Sequence, residues 1–538
     1  MFTRKLFIPV LFVGLFQLLF TACSSKSTTP GLIGIYYSEP NLTSIKALTI
    51  LDNLEQVWDE NVDFQGESSG EWNGYLIAPK SGQIKFQLSS NFTSEVIFAE
   101  KTKIKVDQEN PTAEFEIGMA EGDSYPITLL FWHTGKKSDP GLFSLKWSIE
   151  NEEFQSIPLA NIYHTEKESS VLDFIKEIDP AKIDKSQFIY AEGEHSVVYH
   201  ETGRFAAWPA NNGIWNWGDE ILVSFLQAYN KENKYHHAII YTKPMNPAFA
   251  RSLDGGKTWK FEIASENLSY GKNGKVFNGK INYAAEGFAL KNRDNKFWYS
   301  YSKGKTWQGP FTYPDFGLGK LTSRTDYLVE NSDEAFIFVS VKDERVRASL
   351  QDRAITIKTD DGGKSFEFVG YMSELDTVRS VMPATVRIDE DHLVAAMRRR
   401  LDPPSDDKFG LPQNWIDVYE SLDNGKNWKF LAKIANTDTG IRNGNPPSMV
   451  RLKSGRLAVA YGYRGVPYSI RARVSSDNGK TWSKEIILRD DARIWDIGYC
   501  RTVVRDDDKV VTVYYYSTEE RTERHIAATI WDPNKIEL

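Results

Sequence analysis

Histidines are concentrated in one short part of the chain. His195, His200, His236 and His237 make up half of the 8 histidines in this 538-residue sequence. Histidine titrates nearest to neutral pH and can accept or donate a proton, so these side chains could supply a general acid or a general base. The alternative for His236 and His237 is a solvent-facing pair on a strand. We take His195, His236 and His237 as candidate catalytic residues.

Three arginines are candidates for binding an acidic substrate. A planar guanidinium holds a carboxylate through two parallel hydrogen bonds, and the candidates for this role are Arg204, Arg398 and Arg464. The alternative for each of them is a surface ion pair. Trp215 lies in a tryptophan-rich segment and could form a stacking wall for a sugar ring, although core packing is the simpler explanation.

The composition excludes several functions. Lys plus Arg number 65 against 73 Asp plus Glu, which gives a net charge of −8. Nucleic-acid binding requires Lys and Arg clustered on one face, so this acidic balance argues against it. The two cysteines, Cys23 and Cys500, cannot form a disulfide framework. No group of His, Asp and Glu has the spacing of metal ligands, so we expect neither a metal nor another cofactor.

Residues that carry chemistry need rigid elements to position them, and the first part of the chain is predicted to form strands. From about residue 31 to 165, apolar and polar residues alternate, as in Ile84–Leu88 and Phe143–Trp147. This alternation is typical of half-buried antiparallel strands. Residues 166–185 are strongly charged and are predicted to be a linker.

The remainder, residues 186–538, contains an internal repeat that ends in an aromatic residue. The copies are Ser252–Trp259, Thr359–Phe366, Ser421–Trp428 and Ser475–Trp482, with a decayed copy at Ser302–Trp307 that lacks the aspartate. They lie roughly 50–60 residues apart, which is typical of a four-stranded propeller blade. Asp and Asn bond their own backbone in tight turns and Gly supplies positive φ, so the repeats are predicted to be scaffold.

Both parts resemble known families. The repeats are identified as Asp boxes, and their five copies resemble those of sialidase-like propellers. In the first part, Gly31–Tyr37, Trp72–Gly82 and Leu142–Trp147 resemble the PA14 domain, a β-sandwich often attached to carbohydrate enzymes. The resemblance implies an all-β fold, with a PA14-like sandwich at 31–165 and a six-bladed β-propeller at 186–538. The stretch 89–93 lacks the paired aspartates of calcium-binding members, so we expect no calcium site.

The sialidase resemblance also implies roles for single residues. Sialidases hold a substrate carboxylate with three arginines and attack with a tyrosine. Arg204 and Arg398 resemble the first and second of these arginines, and Arg464 is a further candidate for substrate binding. Tyr499, in a segment followed by an apolar strand, resembles the reacting tyrosine. The alternative for Tyr499 is a buried structural residue.

The aspartate and the glutamate that a sialidase uses are missing from the stretches where the sialidase pattern has them. The stretch 226–251 holds Glu232 but no aspartate, and 379–384 holds no acid. A retaining glycosidase normally needs a pair of carboxyl groups, so hydrolysis of sialic acid is doubtful. Arginine, tyrosine and histidine suit β-elimination at a uronic acid, in a lyase or a dehydratase as in the breakdown of ulvan-like polysaccharides. A sialidase-like exo-glycosidase is the alternative, and a non-catalytic glycan-binding protein is the third hypothesis.

The amino terminus predicts export. Arg4 and Lys5 precede the short apolar run 6–20, and small residues lead to Cys23. This pattern indicates a secretory signal and resembles a bacterial lipoprotein signal, residues 1–22, in which the cysteine becomes lipid-modified. The alternatives are an ordinary signal peptide or a membrane anchor. We therefore predict a protein lipid-anchored to the cell envelope through Cys23, with an acidic oligosaccharide or polysaccharide as its partner.

Overall fold

The structure is a computed structural model, and it describes residues 28–37, 45–58, 68–99, 102–133, 141–165, 183–232, 237–269, 271–346, 351–402, 412–438 and 444–538. The predicted signal, Cys23, His236 and most of the predicted linker lie outside these ranges. Within them the regular elements are strands and short 3₁₀ turns, so the prediction of an all-β fold is confirmed. No helix of the described part is long and apolar enough to cross a membrane. The 3₁₀ turns are Leu159–Asn161, Lys185–Gln187, Pro209–Asn211, Glu266–Leu268 and Pro533–Lys535.

The first part of the chain forms two antiparallel sheets. Its strands are β1 (Thr28–Pro30), β2 (Leu32–Tyr37), β3 (Ile45–Leu51), β4 (Glu55–Trp58), β5 (Ser68–Ile77), β6 (Gly82–Ser90), β7 (Thr93–Phe98), β8 (Thr102–Val106), β9 (Thr112–Met119), β10 (Ser124–His133), β11 (Gly141–Ser148), β12 (Gln155–Ser156) and β13 (Ile162–Thr165). The larger sheet has the order β1-β13-β5-β10-β7-β8, with β2 pairing to both β3 and β5; the smaller has the order β12-β11-β6-β9, with β4 beside β11.

One apolar core joins these two sheets. Alternate residues of each strand point inward, as expected from the period of two. Trp72 from the larger sheet packs edge-on against Phe143 from the smaller one, with ring centroids 4.7 Å apart. Phe86 and Phe98 pack across the same gap at 5.4 Å. The alternation seen in the sequence therefore corresponds to a sandwich of two layers.

The second part of the chain forms six smaller sheets. Its strands are β14 (Ile189–Tyr190), β15 (Gly193–Tyr199), β16 (Arg204–Ala207), β17 (Gly213–Trp217), β18 (Glu220–Tyr229), β19 (Asn246–Ser252), β20 (Lys260–Ile263), β21 (Lys275–Val276), β22 (Ala289–Arg293), β23 (Lys296–Ser300), β24 (Gln308–Thr312), β25 (Tyr327–Val329), β26 (Ala335–Lys342), β27 (Asp352–Thr359), β28 (Glu367–Tyr371), β29 (Arg379–Arg387), β30 (Leu393–Leu401), β31 (Gln413–Ser421), β32 (Lys429–Asn436), β33 (Ser448–Arg451), β34 (Leu457–Tyr463), β35 (Ser469–Ser475), β36 (Ile486–Arg489), β37 (Gly498–Val504), β38 (Val510–Tyr516) and β39 (His525–Trp531).

Each of the six sheets contains four or five strands. The orders are β16-β18-β19-β20 with β17 beside β18, β21-β24-β23-β22, β25-β26-β27-β28, β29-β30-β31-β32, β14-β36-β35-β34-β33 and β15-β39-β38-β37. The first two strands of this part, β14 and β15, thus complete the last two sheets. Such sharing is what closure of a propeller requires, and the closed six-bladed ring stays a prediction.

The Asp boxes are hairpin turns tied by their own side chains. In the first copy Asp254 accepts hydrogen bonds from the backbone N–H of Thr258 at 2.9 Å and of Lys257 at 3.1 Å. The indole of Trp259 donates to the carbonyl of Gly256 at 2.9 Å. In the decayed copy the hydroxyl of Ser302 replaces the carboxylate and accepts from the N–H of Thr306 at 2.9 Å. The repeat is therefore scaffold, as its residue types indicate.

Removing one box carboxylate should destabilise the protein. Asp361 accepts from the N–H of Ser365 at 3.0 Å and from its hydroxyl at 2.6 Å. We expect Asp361→Ala to lower the free energy of unfolding by about 1–2 kcal/mol, because both donors lose a charged acceptor. The matched control is Asp360→Ala, since Asp360 is exposed and accepts no hydrogen bond from the described residues. Equal unfolding midpoints in urea for the two variants would contradict this account.

Candidate functional site

Tyr499 stands at the start of β37 in an uncommon backbone conformation. Its φ is 50° and that of the preceding Gly498 is 100°, a region that side chains other than glycine rarely adopt. The N–H of Tyr499 donates to Oδ1 of Asn445 at 2.8 Å. A Cβ on residue 498 would lie 2.2 Å from that same oxygen, so only glycine fits there. Asn445 therefore holds a strained tyrosine in place, and such strain is concentrated at functional sites.

Guanidinium groups from two other sheets reach this tyrosine. Nη1 of Arg398, on β30, donates to the Tyr499 hydroxyl at 3.3 Å. The guanidinium of Arg464, which follows β34, lies 5.4 Å from the Tyr499 ring centroid. Burial would raise the pKa of Tyr499, but the positive charges of Arg398, Arg464 and Arg379 outweigh burial and lower it. The Tyr499 phenol therefore loses its proton more readily than an ordinary tyrosine does.

A histidine paired with a buried carboxylate lies beside this group. Nδ1 of His237 is 2.7 Å from Oδ1 of Asp496, and among the described residues the imidazole has no other hydrogen-bond partner. Asp496 is fully buried and also accepts from the Tyr515 hydroxyl at 2.6 Å and from Nε of Arg524 at 3.2 Å. Burial would raise the pKa of Asp496, but His237, Arg524 and Arg464 hold it well below its usual range. Asp496 therefore stays ionised and orients the imidazole.

One tyrosine connects the two halves of the site. Nη2 of Arg464 donates to the hydroxyl of Tyr515 at 2.5 Å, and that hydroxyl donates to Asp496. The ring of Tyr515 is 6.2 Å from that of Tyr499. The phenol of Tyr499 and the imidazole of His237 therefore belong to one connected network.

Two indoles flank His237. The Trp208 ring packs edge-on against the imidazole, with centroids 4.9 Å apart, and the Trp495 ring lies at 5.8 Å. Trp208 also has a positive φ of 62° and is half-buried. A partly exposed indole beside an acid–base group can stack on a sugar ring. Trp208 therefore offers a partly exposed aromatic surface beside His237, whereas the side chain of Trp495 is buried.

The strand pairing is irregular at two positions of the site, beside Arg398 and at Tyr499. Between β29 and β30 the register shifts from Val381 to Ala384, and Met382 in this bulge has a φ of 55°. Arg398 is paired with Val381 at the edge of the bulge. Between β37 and β38 the register shifts from Gly498 to Arg501. Bulges redirect side chains. One of these shifts lies beside Arg398 and the other includes Tyr499.

Sequence reasoning missed two further guanidiniums. Arg379 is ion-paired with Asp352 and lowers the pKa of Tyr499. Nε of Arg324 donates to Oδ1 of Asn211 at 3.1 Å. Burial lowers the pKa of Arg324, and the electrostatic interaction of Arg324 with Tyr499 opposes that lowering only in part. Neither arginine lies in a segment that matches the sialidase pattern. Their relation to the site becomes visible only in the folded structure, where both arginines interact electrostatically with Tyr499.

Arg204 has its contacts elsewhere. Its Nη2 is 3.5 Å from Oε1 of Gln227, and its guanidinium lies 4.2 Å from the centroid of the Tyr229 ring. Both partners belong to β18, the strand that pairs with β16. The structure shows no contact of Arg204 with the described residues of the Tyr499 network. Trp208, four residues further on, occupies the place beside His237 instead.

His195 and Trp215 also lie apart from this network. His195 is on β15, at the far edge of the sheet whose opposite edge, β37, carries Tyr499, and its Nδ1 is 2.9 Å from Oγ1 of Thr529. The buried indole of Trp215 donates to the carbonyl of Leu290 at 3.1 Å, as a core tryptophan does. His236 lies outside the described residues. Of the predicted residues, the structure therefore brings together Tyr499, Arg398, Arg464 and His237.

The carboxylate of the site comes from an unexpected position. The sialidase pattern has its acids in stretches 226–251 and 379–384, whereas Asp496 stands three residues before Tyr499. The spacing is visible in the sequence, but the pairing with His237 is not, because 259 residues separate the two. Among the described residues no group of three or more His, Cys, Asp and Glu could hold a metal ion.

Comparisons with known proteins concern the fold. No protein-family model and no curated protein matches this sequence. A solved protein of unknown function from Dyadobacter fermentans DSM 18053 is 19% identical, covers 63% of this chain and 98% of its own, and has a TM-score of 0.48. For the NanB sialidase of Streptococcus pneumoniae the identity is 10%, the coverages are 87% and 99%, and the TM-score is 0.41. The PA14 domain of the antifreeze protein MpAFP is 14% identical over 26% of this chain and 93% of its own, with a TM-score of 0.20.

Proposed function

We propose that the protein is a carbohydrate-active enzyme that catalyses β-elimination at a uronate residue of an acidic oligosaccharide. The observation that carries the proposal is the Tyr499 phenol, which has a lowered pKa and hydrogen-bonds to an arginine, together with the nearby His237–Asp496 pair. Elimination requires a base, an acid and neutralisation of a carboxylate. These three functions correspond to Tyr499, His237 and the arginines.

The reaction uses each group once. The substrate carboxylate lies against Arg398 and Arg464, whose charge makes the C5 proton more acidic. The Tyr499 phenolate takes that proton, and the electrons of the C5–H bond form a C4=C5 double bond. The C4–O bond breaks, and Nε2 of His237 donates a proton to the departing oxygen. The products are an unsaturated uronate and either a sugar hydroxyl or water.

A sialidase-like exo-glycosidase is the second candidate. The observation in its favour is the pair of arginines around a tyrosine, which would also suit a phenolate that attacks the anomeric carbon of a sugar acid. In that reaction His237 would protonate the leaving oxygen. The hydroxyl of Tyr499 has no hydrogen bond to a carboxylate in the described residues, and such a carboxylate is what a sialidase uses to activate its tyrosine.

The products distinguish these candidates. Purified protein is incubated with uronate-containing and sialic acid-containing oligosaccharides, and the products are followed by ultraviolet absorbance and mass spectrometry. We expect the uronate substrates to give products that absorb in the ultraviolet and show no gain of water. Products that gain one water without new absorbance would favour the exo-glycosidase. Binding without turnover of either substrate would leave a glycan-binding protein.

The arginines provide a matched test of substrate binding. Arg398→Gln should raise KM by about 10- to 100-fold, because a charge-assisted hydrogen bond to the carboxylate is lost. Arg204→Gln should leave KM and kcat near their original values, because Arg204 contacts Gln227 and Tyr229 in its own sheet. Steady-state kinetics on one uronate substrate measures both variants. A larger rise of KM in Arg204→Gln would contradict the placement of the substrate carboxylate.

The cellular setting that we propose follows from the amino-terminal sequence. Residues 1–22 would direct export and Cys23 would carry the lipid anchor, so the enzyme would act at the cell envelope on polysaccharide fragments. Metabolic labelling with a fatty-acid analogue tests this: label should enter the original protein and not Cys23→Ser. Label in both proteins, or in neither, would contradict the lipid anchor.

A further inference from the structure

Arg324 lies next to the Tyr499 network, and the proposed elimination gives it no role. It stands shortly before β25 of the third sheet. Its Nε donates to Oδ1 of Asn211, and Ala210, the residue before Asn211, packs in one cluster with Tyr499. Arg324 and Tyr499 also interact electrostatically. The Arg324 guanidinium is therefore a neighbour of the place where the substrate is proposed to react.

This guanidinium has hydrogen-bond donors that the fold does not use. A guanidinium has five N–H groups. In Arg324, Nε binds Asn211 and Nη1 donates to the carbonyl of Ser323 at 2.7 Å. Nη2 makes no hydrogen bond to a described residue, it reaches solvent, and the side chain is 27% exposed. Nη2 can therefore donate to a ligand that approaches from solvent.

Positive charge exceeds negative charge among the side chains around Arg324. Two carboxylates each form ion pairs with two cations: Asp294 with Arg293 and Arg324, and Asp352 with Lys342 and Arg379. Oδ1 of Asp294 is 3.6 Å from Nη1 of Arg324, which is longer than a hydrogen bond, and the Asp294 side chain is half exposed. Asp294 therefore neutralises Arg324 only in part, and this region attracts an anion.

The arginines that face the reacting carboxylate come from other sheets. Arg398 is on β30 of the fourth sheet and Arg464 follows β34 of the fifth, whereas Arg324 belongs to the third. In the proposed reaction the substrate carboxylate occupies Arg398 and Arg464. Arg324 is then left for a different group of the same oligosaccharide. Guanidinium donors form strong charge-assisted hydrogen bonds with the oxygens of carboxylates and of sulfate esters.

We propose that Arg324 binds a second negatively charged group of the substrate, a sulfate ester or a further carboxylate on a sugar next to the reacting uronate. Arg324 determines which substrates bind and takes no part in the transfer of protons. This inference rests on the proposed function, because it takes the reacting uronate to lie at Tyr499. It narrows the substrates from acidic oligosaccharides in general to those with negative groups on neighbouring sugars.

Three trisaccharides with the same central uronate test the proposal. Their outer sugars are neutral, carry a sulfate ester, or are uronates. Calorimetric titration measures their affinity for Tyr499→Phe, in which turnover should be slow because the proposed base is removed. We expect each charged ligand to bind about tenfold or more tighter than the neutral one, because Arg324 gains a charged acceptor. Tighter binding of only one charged ligand supports the proposal and identifies the group, whereas equal affinity for all three overturns it.

A matched pair of arginine variants places the second group. Arg324→Gln, made in the same Tyr499→Phe protein, should abolish the difference between charged and neutral ligands and leave the affinity for the neutral ligand unchanged. Arg204→Gln is the control, because the Arg204 side chain is 23% exposed and contacts Gln227 and Tyr229. A difference that survives in Arg324→Gln, or that Arg204→Gln also abolishes, overturns the assignment. If Arg324→Gln does not fold, Arg324→Lys replaces it; the difference should then be smaller, and an undiminished difference overturns the assignment.

Turnover by the original protein separates a failure of this inference from a failure of the proposed reaction. Unsaturated products that form equally fast from the neutral and the charged trisaccharides would overturn the role of Arg324 and leave the elimination in place. Absence of unsaturated products, together with a charge preference that Arg324→Gln abolishes, would overturn the elimination and support the anion-binding role of Arg324.

Discussion

Replacing Tyr499 with phenylalanine is expected to lower kcat by about 10²- to 10⁴-fold, because the base that takes the substrate proton is removed. The fold should persist, since phenylalanine retains the ring and the backbone bond to Asn445. The matched control is Tyr514→Phe. The Tyr514 hydroxyl bonds to Thr529 at 2.6 Å, and the Tyr499 network does not use it. Steady-state kinetics of both variants tests this prediction. Full turnover by Tyr499→Phe would contradict the role of Tyr499 as the base.

The pH dependence adds a test of the same residue. The phenol must be ionised to act as a base, so the rate should rise with pH. The midpoint of this rise should lie below the ordinary pKa of a tyrosine phenol. This displacement follows from Arg398, Arg464 and Arg379, whose charges lower the pKa of Tyr499 against the effect of burial. Arg398→Gln removes one of these charges, and the rising limb should therefore move to higher pH. A limb that stays in place would show that another group titrates.

Replacing His237 with glutamine is expected to lower kcat by about 10²- to 10³-fold, because the departing oxygen loses its proton donor. The defect should shrink for substrates whose leaving group departs readily without a proton, such as uronates that carry a nitrophenyl group at C4. A structural defect would slow all substrates equally. Parallel kinetics on a sugar and a nitrophenyl leaving group separates the two explanations.

Two variants control for this effect. His195→Gln should retain full activity, because His195 is at the opposite edge of the sheet from Tyr499 and contacts Thr529. Asp496→Asn should reproduce much of the His237 defect, since the amide cannot stabilise a charged imidazole. Its stability must be measured alongside, because Asp496 also binds Arg524 and Tyr515 in the interior.

Local patterns were sufficient to predict the class of fold. Alternation predicts strands such as β6 and β11, and the Asp-box residues predict turns whose hydrogen bonds span four residues or fewer. These interactions are local, so neighbouring residues determine them. The prediction of an all-β chain rests on many such segments. The closed ring depends on long-range pairing, which no local pattern contains.

Prediction of the site was harder, because its residues come from distant segments. Tyr499 and Arg398 could be selected by resemblance, and the structure brings them within 3.3 Å. The same resemblance points to Arg204, but Arg204 faces Tyr229 in its own sheet. Asp496 was overlooked although it is close to Tyr499 in sequence, because its partner His237 comes from another sheet. Registers and bulges decide these contacts, and residue types alone do not reveal them.

The sheet that carries Tyr499 has a consequence for biosynthesis. Its strand β15 is synthesised well before β37, β38 and β39, and β15 pairs along β39 from Gly193 to Tyr199. Contacts so remote in sequence form slowly, because a long loop must close first. The nascent chain would therefore hold β15 without its partner strand until β39 has been synthesised, a state in which a holding chaperone protects against aggregation.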